Sequence, residues 1–392
     1  MRQVIIITAL LILVSITITA QNIETVLAEI ERNNTTLVAY KNLNEAEKLN
    51  NKTGIFLENP EVGFNYLWGK PGLLGIRQDF SVSQSFDFPT SYGIKKKIAN
   101  DKNIRADLDF ELQRKTILYR TKTICNQLIY LNALHEILGE RARHAEEIAR
   151  AYNAKFEKGE INIIENNKAK FNLLNTRKEL EANQTERGVL LAELTGLNGG
   201  KPVTFTQSTF APVLLPVDFE TWFSENEAKN IYLQQAANEI IISEKQIQLS
   251  KALSLPKFSG GYMSESVVGE SFKGITAGMS IPLWENKNKV KLATAQQQVA
   301  EQIAIDKKTE SYNRLKGEYE KAKSLQKILE SYREALQVVN STELLKKALD
   351  AGELSLIEYM LELTLYYETT DKFLEVENEL NQMATSLFFF DL

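Results

Sequence analysis

One cysteine and two histidines among 392 residues are too few for most site chemistry. Cys125 has no partner for an intramolecular disulfide, so packing or assembly must hold the chain together. Cys125, His135 and His144 do not cluster, and no metal site is expected. The sequence lacks a phosphate-binding glycine loop, an activated nucleophile and a Cys/His array, so neither an enzyme nor a cofactor is expected. Basic excess is missing too. Lys and Arg number 46 against 51 Asp and Glu, a net charge of −5, and a nucleic-acid partner would want a basic face. Long apolar runs are confined to the start. Arg2, the stretch Val4 to Ile18 and the small residues Thr19-Ala20 before Gln21 form an export signal over 1–20, too short for a membrane-spanning helix of about 20 residues.

What the chain does have, it has twice. Asn34, Pro60, Pro89 and Gly159 return about 195 residues later as Asn230, Pro256, Pro282 and Gly352. GEINIIE at Gly159–Glu165 is echoed by GELSLIE at Gly352–Glu358, DFP by SIP, and ENP by SLP. So long a period indicates a duplicated half-molecule rather than a solenoid unit. The domains follow: a signal peptide at 1–20, a first repeat at 21–197, a linker at 198–217 and a second repeat at 218–392.

Within the first repeat, residues 23 to about 54 have a helical apolar spacing (Leu27, Ile30, Leu37, Tyr40, Leu43). After Pro60 the period falls to two. Val62, Phe64, Tyr66 and Trp68 alternate with smaller or polar residues. After a Gly69-Lys70-Pro71-Gly72 loop, Phe80, Val82, Phe86 and Phe88 alternate with Asp79, Ser81, Ser83, Ser85 and Asp87. This is a β-hairpin with one apolar and one polar face. The second repeat matches it with Phe258 and Tyr262, then Ile275, Ala277, Met279 and Ile281.

A long helix is predicted after each hairpin, roughly 100 Å at 1.5 Å per residue. Ile117, Thr121, Ile124, Leu128, Leu131, His135, Leu138, Ala142, Ala145 and Ala149 step by fours and threes, as do Leu315, Tyr319, Ala322, Leu329, Tyr332, Leu336 and Val339. Gly159 and Gly352 stop these helices, and Asn162 and Ser355 cap returning helices that run to about Leu197 and Phe388. Residues 198–218, rich in Pro, Gly and Thr, form an irregular linker with room for a short strand.

Four amphipathic strands cannot close a membrane barrel, which needs about eight or more. Open edges in lipid would leave backbone groups unpaired. Either sister chains complete the barrel, with apolar residues facing lipid and polar residues facing water, or the hairpins pack their apolar faces against the chain's own helices as a soluble bundle.

The duplicated helix–hairpin–long helix–turn–helix plan resembles the TolC-like outer-membrane efflux proteins. The resemblance rests on Asn34 and Asn230, Pro60 and Pro256, the FSVSQSFDFP and AGMSIPLW strands, and the FEKGEINIIE and LDAGELSLIE turns. It covers essentially the whole mature chain. ENPEVGF and GIRQDFSVSQSFDFP are most similar to the heavy-metal-efflux branch, although the lipidation cysteine of some branch members is missing here.

The resemblance implies a mixed α plus membrane β-barrel fold: a homotrimer with a twelve-stranded barrel in the outer membrane, a periplasmic helical tunnel and a collar built partly from 198–218. It implies a passive exit duct for small solutes, metal cations or drugs, partnered by a periplasmic adaptor and an inner-membrane pump. The alternatives are a duct for type I polypeptide secretion and a periplasmic coiled-coil or adaptor protein.

The tips Lys158, Gly159, Glu160, Ile161, Ala351, Gly352, Glu353 and Leu354 would meet the adaptor. Glu165, Glu358 and Glu362 would constrict the periplasmic entrance, though Glu165 and Glu358 also sit where a helix cap needs them. The lipid face would comprise Phe64, Tyr66, Trp68, Phe80, Val82, Phe86, Phe88, Ile275, Met279 and Ile281, with Tyr66 and Trp68 in an interfacial aromatic girdle.

Overall fold

The structure, a computed structural model, describes residues 22–70, 75–338 and 341–392. The export signal at 1–20, Pro71, Gly72 and Val339 lie outside the described residues. In chain order the elements are α1 (Ile23–Asn33), α2 (Thr35–Asn51), β1 (Glu61–Trp68), β2 (Ile76–Phe86), α3 (Thr90–Glu157), α4 (Ile163–Leu197), α5 (Phe219–Asn226), α6 (Ile231–Ala252), β3 (Lys257–Val267), β4 (Glu270–Ser280), α7 (Lys289–Val338), α8 (Ser341–Asp350) and α9 (Leu356–Leu387).

Contacts divide the chain into two compact units, each built from both halves of the sequence. One, the helical unit, comprises the described residues within Met1–Asn34, Arg120–Val213 and Ser324–Gln382. The other, which carries the sheet, comprises Thr35–Tyr119, Leu214–Lys323 and Met383–Leu392.

In the helical unit the predicted stripe is the buried one: Thr121, Ile124, Leu128, Leu131, Leu138, Ala145 and Ala149 are all buried. Ala149, Ala169, Leu356, Tyr359 and Leu363 form one core cluster, where two alanines let α3 and α4 lie close. Cys125 is fully buried, and burial pushes its thiol up to about 12, so it is a packed residue. His135 Nδ1 lies 3.1 Å from Asn183 Oδ1, whose amide donates to Leu131 O. The linker contains no strand among its described residues, contrary to the short strand allowed for above. Instead Val203 and Phe205 bury their side chains, and Asn132 donates to Gln207 O at 2.9 Å, satisfying the irregular backbone from a helix.

The single helix expected over 23–54 is two. Asn34 has extended backbone (φ −66°, ψ 117°) between α1 and α2. Its side-chain amide donates to Leu197 O at 2.8 Å, satisfying an orphan carbonyl at the end of α4. Asn230 occupies the same conformation (φ −70°, ψ 106°) ahead of α6, where its Oδ1 accepts from Tyr232 N and its amide reaches Ser311 Oγ. Both asparagines break a helix and repair the break with a side chain, which explains why the sequence carries asparagine at both places. The helix after the second hairpin also starts later than expected. Residues 283–288 form a bend and a turn, Asn288 has positive φ, and α7 begins at Lys289.

The four strands form one antiparallel sheet in the order β1-β2-β3-β4, leaving β1 and β4 as edges. Gly261 permits the β2–β3 pairing that joins the two hairpins, since a Cβ there would run into the Val82 carbonyl oxygen. The β3–β4 turn places Val268 at φ 49° and Gly269 at φ 88°. Both positive values are those of a two-residue hairpin turn, but a β-branched residue is strained there. Val268→Asn is expected to stabilise this hairpin by about 1 kcal/mol. Hydrogen exchange checks it: the β3–β4 amides should gain about five-fold protection.

Candidate functional site

Strand alternation and register sort the sheet into two faces. One row runs Val62, Val82, Tyr262, Ile275 across all four strands. Phe64 and Phe80 lie one step toward the tip; Phe86, Phe258 and Met279 lie toward the base, on the same face. This face is open to solvent in the single chain. Ile275 is 92% exposed and Trp68 81%, and Phe64, Phe80, Met279 and Ile281 are also exposed. Tyr66, Val82, Phe86 and Phe88 are half-buried, the last two beside Phe258. Tyr66 and Trp68 make an edge-to-face pair at 5.3 Å beside the tip. Phe88 and Ile281 fall just past the ends of their strands. Toward the tip, β3 and β4 turn polar on this face, with Ser264, Ser266, Ser271 and Lys273.

The opposite face is largely hydrophilic, with Leu67, Met263, Val267 and Phe272 interspersed toward the tip. It carries Glu61, Asp79, Glu265 and Glu270 against Arg77 and Lys257, among Ser81, Ser83, Ser85 and Thr276. Arg77 Nε donates to Asp79 Oδ1 at 2.9 Å and lies 3.3 Å from Glu265 Oε1, a cluster that ties β2 to β3. The hairpins of the single chain leave this apolar face uncovered, on a sheet with two open edges, and do not pack it on their own helices.

The two helix-ending turns share one hydrogen-bond pattern. Gly159 (φ 73°) donates to Phe156 O and Glu160 N to Lys155 O; Gly352 (φ 76°) donates to Leu349 O and Glu353 N to Ala348 O. These are Schellman closures, which need a left-handed residue at the glycine position. Lys158, Glu160, Ala351 and Glu353 are exposed around them, and Ile161 and Leu354 are half-buried.

Past the turns the carboxylates divide by role. Glu358 and Ser355 form a reciprocal capping box: Ser355 N donates to Glu358 Oε2 at 2.9 Å, and Glu358 N to Ser355 Oγ at 3.3 Å. The backbone N–H of Ser355, and then its side chain, hold the Glu358 carboxyl below the usual range. That contribution is present at neutral pH and fades as pH falls through the lowered value. Glu165 is half-buried, and its N–H is capped by Asn162 Oδ1 at 3.0 Å. Glu362 is exposed, one turn beyond Glu358.

Sequence reasoning missed an exposed apolar group at the sheet's base. Trp284 is 80% exposed and Phe56 74%, with Leu57 and Leu283 also exposed. All four lie outside the strands, so period-two counting passes over them. The signal available was position, immediately flanking the hairpins. No described helix is long and apolar enough to cross a membrane.

No protein-family model and no curated protein sequence matches the chain. Solved structures do. CusC aligns over 95% of this chain and 92% of its own, at 14% identity and a TM-score of 0.77, in a study of its folding and transmembrane channel formation. The Campylobacter jejuni CmeC outer-membrane channel aligns over 94% and 85% (15% identity, TM-score 0.76). The open state of the Neisseria gonorrhoeae MtrE outer-membrane channel aligns over 94% and 88% (11% identity, TM-score 0.72). The chain therefore has the fold of the TolC-like outer-membrane efflux channels.

Proposed function

We propose that this chain is the outer-membrane exit duct of a tripartite efflux system, and not an enzyme. In this reading the two halves are tandem repeats. Three copies pool their sheets into a twelve-stranded barrel whose helices continue as a periplasmic tunnel, and solutes pass without chemistry. The observation that carries the reading is the bare apolar face on an open-edged sheet. Strands of 8, 11, 11 and 11 residues suit a span for which about 9–11 tilted residues are needed. Pairing β4 of one copy with β1 of the next would satisfy both edges and put the hydrophilic face on a water-filled bore.

The roles of the remaining residues follow from this arrangement. The turns at 158–161 and 351–354 are the adaptor contacts, with an inner-membrane pump beyond. Glu362 is the better candidate for an entrance ring, since Glu358 is engaged in its cap. Metal cations, drugs and other small solutes are all compatible cargo. The mature protein in detergent is expected to be a trimer that conducts ions when added to planar bilayers. A water-soluble monomer without channel activity would overturn the proposal.

A further inference from the structure

Four segments meet at the base of the sheet: 52–58, 87–97, 253–257 and 281–291. Gln84 Nε2 donates to Glu58 O, and Asn286 Nδ2 to Leu253 O. An ion-pair chain, Lys95–Asp87–Lys257–Glu285, ties the second and fourth segments together. Outside this knot lie the exposed apolar residues Phe56, Leu57, Ile281, Leu283 and Trp284. The same segments carry exposed lysines: Lys52, Lys96 and Lys97, Lys287, Lys289 and Lys291. None of these six side chains has an ion pair or hydrogen-bond partner among the described residues. Of the nearby carboxylates, Asp87 is engaged by Lys95, Glu285 by Lys257 and Asp101 by Lys245, which leaves Glu58 and Glu61 against six lysines.

We propose that this base is an anionic-phospholipid site, in which the lysines bind headgroups of the leaflet on the helix side of the barrel while Phe56, Leu283 and Trp284 seat in the interface. The proposal rests on the channel reading above and adds to it the chemistry of the lipid. Aromatic side chains prefer the headgroup level, and lysine stems extend over apolar surface to hold a charge in water. Lys96 and Lys97 begin within about 10 Å of the start of α3, a distance the lysine stem can cover. A zwitterionic headgroup brings no net charge to offset the excess of six lysines over Glu58 and Glu61; phosphatidylglycerol or a like anion supplies it.

The test uses the whole mature chain reconstituted in vesicles of equal parts phosphatidylglycerol and phosphatidylcholine. After gentle detergent extraction, mass spectrometry counts the retained lipids. Basic residues close to an anionic surface each contribute about five-fold in affinity. Retained lipid should therefore be enriched at least about ten-fold in phosphatidylglycerol, and less so at high salt. Changing Lys52, Lys96, Lys97, Lys287, Lys289 and Lys291 together to Gln should return the ratio to that of the vesicle. The control pair Lys327→Gln and Lys347→Gln should leave the enrichment intact. Equal retention of both lipids by the unaltered protein, or an unchanged ratio in the six-lysine variant, overturns the lipid site while conductance keeps the channel reading standing. A chain that enters neither lipid overturns both.

Discussion

Replacing Asp371 with alanine is expected to destabilise the helical unit by about 3 kcal/mol. Arg141 is buried, and its guanidinium spans from α3 to α9 in a bidentate pair with Asp371, 2.9 Å to Oδ2 and 2.6 Å to Oδ1. A third bond reaches Tyr367 O at 3.3 Å, and the guanidinium lies 4.2 Å from the centroid of the Tyr367 ring. Arg141 Nε already lacks an acceptor, so the site holds no spare partner for the charge. Truncating the carboxylate leaves a cation in a core where desolvation is no longer compensated. The figure sits at the low end of the range for fully buried pairs because Asp371 is about a third exposed. Thermal unfolding followed by helical circular dichroism measures the loss. Arg141→Met combined with Asp371→Leu should recover most of it, because removing both charges also removes the desolvation cost. If the double variant is no better than Asp371→Ala alone, the penalty comes from shape rather than charge.

That pair was invisible in the sequence, and the reason is instructive about the rest. Local rules act over three or four residues, and they located the features that depend on such distances. Gly159 and Gly352 stop helices because only a residue at ease with positive φ closes the turn. Ser355 and Glu358 cap because three residues separate them. Val62, Phe64, Tyr66 and Trp68 lie on one face because the strand repeats every two. Long-range partners obey no such spacing. Arg141 and Asp371 come from different halves, as do the facing residues of β2 and β3, and neither pairing leaves a periodic trace. Asn34 falls between: its apolar neighbours keep helical spacing straight through it, so the break appears only once Leu197 O is seen to need the amide. The exposed apolar residues of the base escaped because Phe56, Leu283 and Trp284 lie where the pattern has already ended. The sheet's two characters were legible; that the apolar one would be left bare was only one of two possibilities, because alternation shows which side chains share a face and says nothing of what covers them.

Ile275→Lys turns that difference into the sharpest measurement. Ile275 is 92% exposed, at the edge strand of the row it shares with Val62, Val82 and Tyr262. Were this surface to face water in the working protein, a lysine there would change stability by no more than about 0.5 kcal/mol. Facing lipid, each lysine costs about 2–4 kcal/mol near the bilayer midplane, and three copies bear it at once. Ile275→Lys is therefore expected to abolish assembly into the outer membrane, scored by fractionation and by loss of trimer in detergent extracts. Thr276→Lys provides the comparison one position along the same strand. Thr276 lies on the hydrophilic face with Glu61, Asp79 and Glu265, where acids outnumber the cations Arg77 and Lys257. A lysine there should leave assembly intact and lower the preference for cations over anions in planar bilayers. The two substitutions introduce the same side chain at adjacent residues, so helix content, expression and β-propensity do not separate them. Only the face does. Equal tolerance of both would mean that water bathes both sides of the sheet, and a barrel closed by sister chains could not then be its working form.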